Sequence, residues 1–234
     1  MLQAHGLSRK ITELGYDVEI IDFRRPAAES YYRFKWSFPP RVNQWLWLRA
    51  CRKFVDTYQK RSSTPYRSVH EFSTDANQYD ALICGSDQIW YTGPVQYYEP
   101  MFFLDIPNFE GKRISYAPSV GGGTGFGRFL EQVKNSIRNI DFLSVRDSHT
   151  EAVIKKFITA DIKRVVDPVL LYSFKDIVAD EPPTDEPYLL VFGDFKDREC
   201  DAIKKLARSK GLSKIVSLQH RNSVATQRVP APSP

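Results

Sequence analysis

Apolar residues recur along this chain with two different spacings, and the switch between them outlines its elements. Leu7, Ile11 and Leu14 fall at i, i+4 and i+7, the stripe of an amphipathic helix, with Gly15 placed to end it. The next stretch, YDVEIIDF (Tyr16 to Phe23), reads as a strand. Four further strand patterns follow: DALICG (Asp80 to Gly85), RISYAPSV (Arg113 to Val120), FLSVR (Phe142 to Arg146) and KRVVDPVLL (Lys163 to Leu171), the last stopped by Pro168. Between them FLEQVKNSIRNI and TEAVIKKF carry helical spacing, and Ser148 with Glu151 forms an S-x-x-E capping box at the start of the second. Strands alternating with helices at this length imply a parallel sheet covered on both faces.

The two ends of the chain depart from that pattern. A helix that feeds a strand is an unusual opening for an α/β domain, where a strand and a ligand-binding turn normally come first, so a further element is expected upstream of Met1. Near the other end, ADEPPTDEP (residues 179–187) is acidic and proline-rich, the composition of a linker. Behind it lie YLLVFGDF, the helical DRECDAIKKLARSKG and KIVSLQ, one strand-helix-strand unit. About fifty residues of this kind cannot bury a parallel sheet on both faces, so the unit either docks on the first domain or begins a second one.

Composition narrows the class. With 234 residues, 42% hydrophobic and 26% charged, the chain is ordinary globular material. Its apolar runs are short and its N-terminus lacks a basic segment followed by an apolar one, so neither a membrane span nor a signal peptide is expected, and the cytoplasm is the expected compartment. Cys51, Cys84 and Cys200, odd in number and widely spaced, read as reduced thiols rather than a disulfide framework or zinc site. The net charge of +5 is unevenly spread: residues 24–67 hold 11 Lys or Arg against Glu29 and Asp56. This segment is also aromatic and reads as two helices separated by Pro39 and Pro40. Three readings stay open for it: amphipathic helices with a solvated basic face, contact with an anionic membrane surface, or nucleic-acid binding, which is not expected.

In doubly wound folds, ligands sit at the carboxyl ends of the strands, and three polar turns occupy that place here. They are GSDQIW after Cys84, SVGGGTGFG after Pro118, and RDS after Val145. Gly85 permits a sharp turn, and Ser86 and Gln88 can donate hydrogen bonds. Asp87 can orient a sugar hydroxyl or cap a helix, and Trp90 can stack on a sugar or sit in the core. Gly121, Gly122, Gly123, Gly125 and Gly127 lack the spacing of a dinucleotide fingerprint and read as a flexible loop. Arg146, ending a strand, points a bidentate fork at a phosphate or carboxylate, or pairs with Asp147 or Asp167. Asp167 before Pro168 can fix the turn. None of His5, His70, His149 and His220 has metal-ligand spacing, and His149 alone stands close enough to Arg146 to test for chemistry.

YDALICGSDQIW, RISYAPSVG, FLSVRD and VVDPVLLY, in this order and at these spacings, resemble the polysaccharide pyruvyl transferase family over nearly the whole chain, with GSDQIW the most specific of the four. The resemblance implies an incomplete architecture similar to B-type glycosyltransferases. It would consist of a Rossmann-like parallel sheet domain over residues 1–178 lacking its first strand, a linker at 179–187, and the start of a second Rossmann-like domain at 188–234. It implies transfer of the enolpyruvyl group of phosphoenolpyruvate onto two sugar hydroxyls, making a pyruvate ketal in cell-surface polysaccharide synthesis. No cofactor or metal is implied. Such chemistry needs an acid for the enol methylene, cations for phosphate and carboxylate, and a polar surface for the acceptor. The substrate-binding candidates are Gly85, Ser86, Asp87, Gln88, Trp90, Ser119, Arg146 and Asp147. The acceptor would be lipid-linked or nucleotide-linked, with the basic segment 24–67 facing the inner membrane surface or the acceptor's pyrophosphate.

Two departures accompany the resemblance. Tyr91 stands where family members carry an asparagine, and the serine-phenylalanine-histidine-glycine type motif that supplies the family's general acid does not occur before Pro234. The chain is therefore expected to be a piece of a transferase that does not turn over alone. Two other functions fit the same residues: a B-type glycosyltransferase using a nucleotide sugar, and a non-catalytic anion- or saccharide-binding module.

Overall fold

The computed structural model describes residues 1–25, 42–93, 98–177, 184–218 and 223–229, and of residues 42–47 and 228–229 the backbone alone. Two compact units divide the chain: Met1–Arg33 with Tyr58–Phe174, and Phe34–Thr57 with Lys175–Pro234. Helix α1 spans Leu2–Glu13, and helix α2, Val42–Tyr58, belongs to the second unit except for its last residue. Of the two helices expected around Pro39 and Pro40, α2 is the second; the first and both prolines lie outside the described residues, as does most of the expected linker, residues 179–183.

In the first unit α1 ends as its sequence predicts, with Gly15 just beyond it at φ 94°, a left-handed conformation that glycine adopts without steric cost. The strand expected over Tyr16–Phe23 is reduced to two parallel bridges, Ile20 with Arg61 and Phe23 with Tyr66. Two local bonds interrupt the ladder. The Asp22 amide donates to the Ser62 hydroxyl instead of a backbone carbonyl, and the Phe23 amide turns back onto the Ile21 carbonyl. A short helix, α3 (Val69–Ser73), follows, capped by Ser68.

Four parallel strands then lie side by side in chain order: β1 (Ala81–Cys84), β2 (Lys112–Ser115), β3 (Ser144–Val145) and β4 (Lys163–Arg164). A bridge between Ile114 and Phe142 joins β2 to β3, and the buried Ser115 and Ser144 hydroxyls bond to each other's strand. The strands are shorter than their sequence patterns. RISYAPSV leaves the ladder after Ser115, and Ala117 takes a positive φ of 57° within it. Helices α4 (Leu130–Arg138) and α5 (Ser148–Lys155) fall where the spacing places them. The cap of α5 is Asp147, however, not Ser148: the Asp147 carboxylate accepts from the Thr150 amide at 2.7 Å, which makes Ser148 the first helical residue. Phe72, Trp90, Phe103, Phe126, Val133, Val145 and Ile154 are fully buried at the centre of this unit's core.

The second unit holds β5 (Tyr188–Phe192), α6 (Asp197–Ser209), β6 (Lys214–Leu218) and β7 (Gln227–Val229), its three strands parallel in the order β5, β6, β7. The third strand was not legible in RVPAPSP. Val191, Cys200, Ala207, Ile215 and Val224 pack together, while Leu190 and Phe192 stay 52% and 63% exposed. Both point from one face of β5, and a parallel sheet needs cover on both faces to bury all its apolar residues. The three cysteines are free thiols.

Candidate functional site

The carboxyl ends of β1 and β3, the turn after β4 and the first turns of α1 converge on the carboxylate of Asp167. Its Oδ2 accepts from Gln3 Nε2 at 2.8 Å, Arg146 Nη1 at 3.1 Å and the Ser86 hydroxyl at 3.2 Å, and its Oδ1 accepts from the Val169 amide at 3.1 Å. The last bond caps the turn Pro168–Leu170, so the aspartate before proline does fix that turn. α1 approaches closely because Gly6 has no side chain: a Cβ there would lie 2.8 Å from the Pro168 carbonyl oxygen. Burial pushes the Asp167 carboxyl up, but the bonds from Gln3, Val169, Arg146 and Ser86 outweigh it and hold the group below its ordinary value. Asp167 is therefore ionised at neutral pH. Its charge and burial together push the nearby Tyr116 phenol up, with burial the larger cause.

Arg146 thus has the ion pair foreseen as one of its two sequence readings. The pair uses Nη1; among the described residues no protein acceptor meets Nε or Nη2. An anion entering here would bind the remaining N–H groups in the presence of the Asp167 charge rather than a bare guanidinium.

The loop after β1 is stitched to the stretch after β2. The Ser119 amide donates to the Asp87 carbonyl at 2.8 Å, and the Trp90 amide to the Ser119 carbonyl at 3.2 Å. Asp87 takes a φ of 123° and folds its carboxylate onto the Gln88 amide, leaving both side chains exposed at the rim. Asp87 caps no helix; its side chain holds the turn. The Gln88 side chain lies on Gly121, whose absent Cβ would otherwise meet Oε1 at 2.7 Å.

Trp90 is placed differently from its assignment as a substrate-binding candidate. It has no exposed surface, stacks on Phe103 with ring centres 5.5 Å apart, and donates from Nε1 to the Phe102 carbonyl at 2.9 Å. A ring enclosed on all sides cannot serve as a stacking platform, so its place is in the core. Ser119 is also buried: it accepts from the Gly121 amide and bonds to the Asp147 carboxylate. Burial raises the Asp147 carboxyl, but bonds from Ser119 and Thr150 and the charge of Arg146 bring it below its ordinary value. Ser119 and Asp147 therefore brace the start of α5 rather than project into the cluster.

The structure brings Ser86 and Arg146 together around Asp167, puts Gly85 in the turn leading to them, keeps Asp87 and Gln88 on the rim, and sets Trp90, Ser119 and Asp147 behind. Gln3 was missed, because a polar residue one turn into a helix carries no sequence signal for a contact 164 residues away. His149 donates from Nε2 to the Gly123 carbonyl at 2.8 Å, tying the glycine loop to α5. His5 is buried among Tyr58, Tyr172 and Phe174, a core residue. Among the described residues no group of His, Cys, Asp or Glu side chains is placed to hold a metal, and no helix is long and apolar enough to cross a membrane.

A family model described as polysaccharide pyruvyl transferase matches residues 1–221. No curated protein and no solved structure matches the chain.

Proposed function

We propose, since this chain belongs to the polysaccharide pyruvyl transferase family, that it serves the transfer of the enolpyruvyl group of phosphoenolpyruvate to a saccharide, on a Rossmann-like domain of the B-type glycosyltransferase kind. In that reaction the enol methylene carbon takes a proton and becomes a methyl group. The former enol carbon forms bonds to two sugar oxygens, phosphate leaves with the bridging oxygen, and the two hydroxyl protons are released. The observation that carries this reading is Arg146 at the end of β3, with one nitrogen committed to Asp167 and its other N–H groups without a protein acceptor among the described residues. A carboxylate or phosphate there would be met by a fork already held in place by its counter-ion, with the Ser86 hydroxyl beside it. Asp87 and Gln88, exposed on the rim, suit sugar hydroxyls.

Asp147 and Asp167 are both held below their ordinary values and so are ionised at neutral pH. Neither carboxylate therefore suits the role of proton donor, and both suit binding and orientation.

Thermal unfolding with phosphoenolpyruvate, with inorganic phosphate as control and Arg146→Ala alongside, tests the reading. Ligand at about ten times its Kd adds about 1.4 kcal/mol, a rise of about 3–6 °C at this size. The expected result is a rise with phosphoenolpyruvate, a smaller one with phosphate, and neither in Arg146→Ala. A transition indifferent to phosphoenolpyruvate but raised by a nucleoside diphosphate would overturn the donor assignment.

A further inference from the structure

β2 lies between β1 and β3, and Tyr116 is the first residue past its end. The Tyr116 amide donates to the Cys84 carbonyl at 2.9 Å, two residues before Ser86. Two residues after Tyr116, the Pro118 carbonyl accepts from the Arg146 amide at 3.2 Å. Tyr116 therefore stands between the strand end that carries Ser86 and the strand end that carries Arg146, close enough to Asp167 for that charge to act on its phenol.

Asp167 already takes up most of the hydrogen-bond donors around it. The single O–H of Ser86 donates to Oδ2, so this hydroxyl can accept from a ligand but has no proton left to give one. Gln3 and Arg146 each commit an N–H to the same oxygen. An anion drawn to the remaining N–H groups of Arg146 meets a guanidinium partly cancelled by its counter-ion, and further donors are needed to hold it. Among the described residues no protein group hydrogen-bonds to the Tyr116 hydroxyl, and no other aromatic ring stacks on its ring. The residue is half-buried, yet its hydroxyl oxygen is not among the enclosed polar atoms, so the O–H end is open to solvent. Burial, and after it the Asp167 charge, push the phenol up, which keeps it protonated at neutral pH.

We propose that Tyr116 is a further donor-binding residue, its hydroxyl donating to an anionic oxygen of the phosphoenolpyruvate held by the remaining N–H groups of Arg146. The assignment rests on the phosphoenolpyruvate reading of this site. A phenol suits the position because it is neutral. A second cation beside Asp167 would pair with that carboxylate and compete with Arg146 for it, whereas a phenol adds a donor and leaves the Arg146–Asp167 pair intact.

Tyr116→Phe removes the hydroxyl and keeps the ring. Since no described protein group bonds to that hydroxyl, the urea midpoint of the unliganded chain is expected to stay unchanged. The Kd for phosphoenolpyruvate, measured by calorimetry, is expected to rise about ten- to a hundredfold, the range for losing a hydrogen bond to a charged group. In a second measurement the tyrosines are isotope-labelled at Cζ, and the resonance missing from Tyr116→Phe identifies Tyr116. That resonance is expected to move when phosphoenolpyruvate binds the wild-type chain at constant pH, as a phenol does when its hydroxyl finds an acceptor. Equal affinity in the two proteins, or an unmoved resonance in the liganded wild type, overturns this assignment and leaves the phosphoenolpyruvate reading standing. A lowered urea midpoint in Tyr116→Phe also overturns it, because the hydroxyl would then serve the fold. A wild-type chain that binds no phosphoenolpyruvate overturns both.

Discussion

Replacing Trp90 with phenylalanine keeps an aromatic ring and removes two things: the Nε1–H bond to the Phe102 carbonyl at 2.9 Å and the volume of the second ring. The bond contributes about 1 kcal/mol net, and its loss leaves a carbonyl in a part of the core where Trp90 itself has no exposure. The missing ring volume beside Phe103 adds about 1–2 kcal/mol, less than a truncation to alanine because the stacked ring remains. The sum, about 2–3 kcal/mol, corresponds to a fall of about 4–12 °C in the midpoint at this size. Urea unfolding of both proteins, with and without phosphoenolpyruvate, separates this cost from ligand contact. The expected outcome is a lower urea midpoint with unchanged slope, while the stabilisation added by phosphoenolpyruvate stays the same. Unchanged stability together with a lost ligand response would refute the reasoning, because it would mean that the indole meets a ligand and not the core.

Acid should drain stability through Asp147 and Asp167. Both carboxyls titrate lower in the folded chain than in the unfolded one, so their contribution is complete above the unfolded value near 3.9 and is lost as pH falls through the depressed native values. Asp147→Asn keeps a residue able to cap α5 and removes the charge, and stability measured from about pH 6 to about pH 2 should then fall less steeply. Gly6→Ala opposes helix propensity to packing. Propensity favours alanine by about 1 kcal/mol, but a Cβ at 2.8 Å from the Pro168 carbonyl overpacks a rigid contact at about 1–3 kcal/mol. The net should be a loss of up to about 2 kcal/mol in chemical denaturation, with the Asp167 carboxyl titrating higher by NMR as Gln3 is moved away; a more stable protein with an unmoved Asp167 would show that the approach is not tight.

Local patterns carried well where the deciding interactions are local. The positions of α1, α4, α5 and α6 and the alternation of helices with parallel strands follow from spacing, caps and breakers. The length of the strand in RISYAPSV did not, because Ala117 takes a left-handed conformation that its residue type does not announce. The cap of α5 was displaced by one residue because Asp147 and Ser148 are both good caps, and only the backbone path decides which one meets the Thr150 amide.

By itself, then, the sequence determined which residues could form helices and strands and that polar side chains would gather at strand ends. It also carried the ordered motifs that mark the family. It could not decide which of those side chains share one carboxylate. Ser86 and Arg146 reach Asp167 from the ends of β1 and β3, and Gln3 joins them because α1 lies against the Pro168 turn across Gly6, a contact between segments more than 160 residues apart. Trp90 admitted a ligand or the core, with the core the commoner place for a large ring with one N–H donor; enclosure by Phe103 and a carbonyl within reach of that donor decided it. Likewise, the stripe Leu7, Ile11 and Leu14 predicts an apolar face but not what that face covers. Its partner is set by which strand edges the fold places opposite it, and here they enclose a cavity.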